Sequence, residues 1–124
     1  MLYLNSLKII LQVISKYLTI QKVGFLFGHD VKTGELLRKV KDHIQRGTYI
    51  VSAHAFKRQN QRFVDLEDVL YVLKTGRRDE NKDLYDVKWQ MWKYAICGLT
   101  TDRINLRIII AFEDEMVIIT VMRI

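Results

Sequence analysis

Apolar positions recur at helical spacing from Thr33 onward. Leu36 or Leu37, Val40 and Ile44 form one stripe, with polar residues between them. Gly47 stops this helix as a residue suited to a left-handed cap, and Thr48-Tyr49-Ile50-Val51 reads as a short strand. Ser52 is placed to cap a short helix that carries His54. A second stripe, Leu66, Val69, Leu70 and Leu73, starts from an N-cap at Asp65 with Asp68 three residues later. Lys74 lies in its last turn and Gly76 closes it. Beyond Gly76 the period changes. Trp92 to Cys97, Ile104 to Phe112 and Met116 to Met122 are β-branched or aromatic runs. Thr100–Arg103 and Glu113-Asp114-Glu115 read as turns, and the charged residues 77–88 as an exposed loop.

These elements predict an α+β fold, with helices packed on one face of a small antiparallel β-sheet. The last three strands make a meander, and the strand at Tyr49 joins an edge. The face without helices is left open to a ligand.

Residues 1–30 form an N-terminal extension to a domain over 31–124. Leu7, Ile10 or Leu11, Ile14 and Leu18 recur at helical spacing, so an amphipathic helix is expected. Its apolar face suits packing on the domain, on a partner, or on a second copy, giving a homodimer through residues 1–27. A start codon set too far upstream would produce the same leader. Val23 to Asp30 reads as a glycine-punctuated linker or short strand. No apolar run approaches the roughly 18–20 residues of a membrane span.

Charge alters this picture more than composition does. Twenty Lys and Arg against fourteen Asp and Glu give +6, which favours a polyanionic partner such as RNA, DNA or an acidic protein. Cys97 is the single cysteine. One chain therefore builds neither a disulfide nor a thiolate zinc site. Cys97 reads as a small buried hydrophobe in a reducing, cytoplasmic setting. The three histidines lack zinc-site spacing, and Asp79, Glu80, Asp83 and Asp86 read as solvated loop charges. No metal and no cofactor is expected.

The candidate chemistry lies in His54, Arg58 and Arg62, which follow one another at steps of four. On a helix, His54 and Arg58 share a face one turn apart. A group that moves protons near neutral pH then sits beside permanent cations. In the strand from Ile104 to Phe112, Leu106, Ile108 and Ile110 alternate with Asn105, Arg107, Ile109 and Ala111. An unpaired guanidinium is costly to bury, so Arg107 must face an open surface or an anion. A two-residue turn at Glu113-Asp114 would set Arg107 opposite Thr120, a pairing that a longer loop breaks. Tyr94 would add a phenol to the same surface. Such a set suits RNA cleavage by 2′-hydroxyl attack, which needs a base, an acid and cations but no metal. Taken singly, the same residues suit a solvated basic helix and ordinary sheet packing.

The order His54-Ala55-x-x-Arg58-x-x-x-Arg62, then Asp68-Val69-Leu70-x-x-Leu73-x-x-Gly76, resembles the bacterial domain-of-unknown-function family 4258. Lys93-Tyr94-x-x-x-Gly98-x-Thr100-x-Asp102, Leu106 to Ile110 and Val117 to Val121 extend the likeness over about residues 35–122. That family looks like the RelE-type toxin superfamily, near the MqsR and BrnT groups. The resemblance implies a RelE-like fold and the toxin half of a type II toxin–antitoxin pair. Such a toxin is an mRNA endoribonuclease, held inactive by a cognate antitoxin. It further implies a catalytic or phosphate-binding role for Arg107 and a strand-tyrosine role for Tyr94. His54 would be base or acid, Arg58, Arg62 and Arg107 would hold the phosphate, and Lys93 and Thr120 would contact substrate. Two other classes fit the same residues: a non-catalytic RNA- or protein-binding module, and a homodimeric interaction protein.

Overall fold

The computed structural model describes residues 31–61 and 64–124. The N-terminal extension over 1–30, with its expected helix and homodimer contact, and Arg62 lie outside the described residues. Among those described, three α-helices and six strands follow in the order α1 (Thr33–Arg46), β1 (Tyr49–Val51), α2 (Ala53–Gln61), α3 (Leu66–Thr75), β2 (Arg77–Arg78), β3 (Leu84–Asp86), β4 (Met91–Leu99), β5 (Asn105–Phe112) and β6 (Met116–Arg123). The fold is α+β, as the pattern predicts.

Local chemistry accounts for several helix ends. Gly47 caps α1 at φ 71°, and its N–H returns to the carbonyls of His43 and Ile44. Asp65 and Asp68 exchange side chain-to-backbone hydrogen bonds at 2.9 and 3.1 Å, a reciprocal capping box at the start of α3. Gly76 ends α3 for a different reason. Its φ is −76°, so left-handed freedom is not used there. A Cβ at this position would lie 2.5 Å from the carbonyl oxygens of Cys97 and Val72. Only glycine lets the end of α3 press this closely on β4.

The strands run in the order β1-β6-β5-β4-β2, with β3 pairing separately with β4. β4, β5 and β6 make the expected antiparallel meander, and β1 adds to β6 in parallel. The stretch 77–88 departs from the expected exposed loop: it holds β2, a 3₁₀ turn at Glu80–Lys82 and β3. Two- and three-residue strands are too short to show a period in sequence, and neighbours across the sheet decide them.

The core lies between the helices and one face of the sheet. Leu36 and Val40 of α1, Ala55 of α2, and Val69, Val72 and Leu73 of α3 meet Ile96, Leu106, Ile108, Ile110, Met116, Ile118 and Val121. Each fully buried aliphatic side chain of this size contributes about 1.5–3 kcal/mol from burial. Strand residues of the other parity face away from all three described helices. These include Cys97, Arg107, Ile109 and Met122.

Candidate functional site

The β5–β6 hairpin turns on three residues, Glu113 to Glu115, and pairs Phe112 with Met116. This is the turn read at Glu113-Asp114-Glu115, and the two-residue alternative that would set Arg107 opposite Thr120 is not formed. The extra loop residue alone would move every later β6 side chain to the opposite face. A bulge at Ile119 adds one more residue, because Ile110 pairs with Ile118 while Ile109 pairs with Thr120. The two slips cancel in parity. Thr120 therefore stays on the open face, but opposite Ile109. Arg107 pairs with Met122, and Thr120 is its diagonal neighbour.

Ser52 pins that bulge. Its N–H donates to the Ile118 carbonyl at 3.0 Å and its hydroxyl donates to the Ile119 carbonyl at 2.9 Å. The same oxygen accepts the Ala55 N–H at 3.0 Å and caps α2. The expected cap is thus present, and it fastens the His54 helix to β6.

The structure divides the candidate set among three places. His54 is exposed in the first turn of α2. Arg58, one turn on, is partly exposed and donates to Gln61 Oε1 at 3.4 Å. Through Ala55 this helix packs on the core side of the sheet. Tyr94 pairs with Ile110 on that same side and is 6 % exposed. It packs on Phe112 and under the Arg78 guanidinium. Burial raises its phenol pKa. Arg107, Lys93 and Thr120 lie on the opposite face, open in the sense that no described helix covers it. The expectation that Tyr94 shares a surface with Arg107 is corrected, and His54 lies on the helix-covered side of the sheet while Arg107 lies on the other. The alternation of β4 and β5 and the side taken by α2 separate them.

The open face holds a different cluster. Arg77 pairs with Cys97, and Cys97 pairs with Arg107, so two guanidinium groups flank a buried thiol in one row. Two strand spacings separate their Cα atoms, about 10 Å. Arg107 reaches Asp79 only at 3.5 Å, its side chain is 21 % exposed, and its buried Nε has no hydrogen-bond partner among the described residues. A cleft of about 880 Å³ opens beside this row, lined in part by Arg77, Asp79, Cys97, Leu99, Asn105 and Ile124. Lys93 sits further along β4 and binds Asp86 at 2.8 Å. That contact and the Trp89 N–H hold the Asp86 carboxyl below its ordinary range.

Arg78, next to Arg77, points to the core and is fully engaged. Its Nε and Nη2 both meet Asp83 Oδ2 at 2.8 Å, and its Nη1 donates to the Val31 carbonyl at 2.6 Å. Asp83, whose side chain is completely buried, also accepts the Ala95 N–H at 2.9 Å. Asp83 is therefore a structural partner of Arg78, which corrects its reading as a solvated loop charge, while Asp79 is partly exposed and only loosely paired with Arg107. Arg77, Arg78, Asp79 and Asp83 were hidden from sequence reading inside a stretch that looks like a loop. The adjacent arginines ahead of two aspartates are the one signal there.

A family model described as Domain of unknown function (DUF4258) matches residues 51–123. The match covers more than half of the chain, which belongs to that family. It starts at the last residue of β1 and takes in α2, α3 and β2 to β6; α1 lies outside it. No curated protein and no solved structure matches the chain. Among the described residues, no helix is long and apolar enough to cross a membrane.

Proposed function

We propose that this protein binds RNA through the open face of its sheet. The row Arg77–Cys97–Arg107 carries the reading. It sets two guanidinium groups on a face clear of the described helices, and one of them keeps a buried, unpartnered Nε. Guanidinium groups match phosphate oxygens with paired hydrogen bonds. Asp79 holds Arg107 loosely enough for a phosphate to replace it. The net charge of +6 draws a polyanion to the surface.

The measurement is RNA affinity by fluorescence anisotropy across a salt series. Arg77→Ala and Arg107→Ala should each weaken binding about tenfold and flatten the salt slope by about one unit. Unchanged affinity in both variants would sink the proposal.

A second, more specific reading is a metal-independent mRNA endoribonuclease, the toxin of a type II toxin–antitoxin pair in the cytoplasm. It is supported by the family resemblance and by one observation. Within the matched region, the Ser52-capped α2 presents His54 and Arg58 one turn apart and accessible. Arg107 and Arg77 would then bind the RNA, with His54 acting on a segment that passes round the β1 edge. A cognate antitoxin would cover the basic face. Expression in bacteria with and without His54→Ala decides it. Equal growth and intact mRNA in both cultures would leave only the binding reading.

A further inference from the structure

The hairpin joining β3 to β4 presents an aromatic side chain that the fold does not use. Trp89 is 64 % exposed, although a tryptophan normally buries most of a 150–250 Å² surface. Trp92, three residues on, is half-buried and sets its ring edge-on to Tyr85. Two tryptophans on one hairpin thus have opposite treatment.

The turn that carries Trp89 is tied down. Asp86 Oδ1 accepts the Trp89 N–H at 3.1 Å, while Asp86 Oδ2 takes the Lys93 ammonium at 2.8 Å. Gln90 closes the turn at φ 53°, in the left-handed region. Lys88 holds its ammonium 5.4 Å from the centre of the Trp89 ring. The one carboxylate in the turn is neutralised by Lys93, so nothing there repels an anion. Leu84 and Val87 are exposed beside the turn. By register, Leu84 pairs with Lys93 on the face that bears Arg107.

We infer that Trp89 is a stacking platform for an unpaired base, and that the RNA bound by the open face is single-stranded. The inference rests on the RNA-binding reading above and adds the strand state of the ligand. The turn sits at the start of β4, and Cys97, between Arg77 and Arg107, lies six residues along it. At about 3.3 Å per residue the separation is about 20 Å, a span for a few nucleotides of extended strand. A duplex keeps its bases stacked on one another and has no free ring for Trp89. A flexible single strand offers one, and stacking on an aromatic side chain beside a cation is tolerant of sequence.

The experiment compares a labelled single-stranded RNA decamer with a blunt RNA duplex of the same length, by anisotropy at fixed salt. The proteins are the wild type, Trp89→Ala, Trp89→Phe and Arg107→Ala. Trp89→Ala should weaken single-strand binding about tenfold and leave duplex binding unchanged, and Trp89→Phe should recover most of the loss. Tryptophan emission should be quenched by the single strand in the wild type and much less in Trp89→Phe. If Arg107→Ala weakens binding but Trp89→Ala binds as the wild type does, the stacking inference falls and the RNA reading stands. If no protein binds either RNA, both fall. If Trp89→Ala halves the mass in solution without changing RNA affinity, the turn is a contact between two copies and the inference is overturned.

Discussion

Arg78 and Arg107 stand on opposite faces of one sheet, Arg78 in the two-residue β2 and Arg107 in the otherwise apolar β5. Arg78 is enclosed, with two nitrogens on Asp83, one on a carbonyl and its plane over Tyr94. Arg107 has one loose contact with Asp79 and an Nε left over. The difference separates structural from available charge. A buried cation whose donors are all spent locks elements together. A cation held only by a long, partly solvated pair, on a face clear of the described helices, can exchange that partner for an incoming anion.

The contrast is broken most severely at Asp83. Asp83→Ala leaves the buried Arg78 with only a 3.5 Å contact to the exposed Glu80 carboxylate and its bond to the Val31 carbonyl, and should cost about 3–5 kcal/mol in urea unfolding. Arg107→Ala should change stability by less than about 1 kcal/mol, because its pair is long and partly solvated. Equal losses in the two variants would erase the distinction. Next in size, Gly76→Ala should cost about 2–3 kcal/mol, since the new methyl group meets two carbonyl oxygens at 2.5 Å. Thermal unfolding measures it, and a variant as stable as the wild type would show that α3 slides off β4 freely. Asp65→Ala removes half of the capping box and should cost about 1 kcal/mol, again in unfolding free energy.

The smallest effect sharpens the position of Tyr94. Burial raises its phenol pKa above the ordinary value of 10.0 in the folded protein. The folded state therefore holds that proton more tightly than the unfolded chain does. The resulting stabilisation is complete below pH 10 and is lost as pH rises through the folded value. Tyr94→Phe should flatten the alkaline limb of the stability curve. An unchanged limb would show that the Tyr94 phenol is solvated and not buried.

Helix stripes, caps and the β5 alternation were legible in the sequence because each is written in neighbouring residues. Asp65 and Asp68 are three apart, Ser52 precedes its helix, and Leu106, Ile108 and Ile110 keep a period of two. The candidate site was less legible. Its assembly depended on which side α2 takes, and no residue of α2 states that by itself. Tyr94 shows the limit well. Its strand was recognised, but its face follows from pairing with Ile110 rather than Ile109.

The sequence alone determined the α+β class, the meander, the parity that sends Arg107 away from the aliphatic core, and the family to which the chain belongs. Tertiary structure decided the register. A three-residue turn and a bulge pinned by Ser52 each shift β6 by one, and their sum keeps Thr120 on the open face while moving it off Arg107. It also decided that residues 77–86 hold two short strands around a 3₁₀ turn and not an exposed loop, so that Arg77 joins Arg107 while Arg78 is buried on the other face. The physical reason is the same in both cases. Hydrogen-bond partners across a sheet are distant in the chain, and a slip of one residue exchanges the two faces.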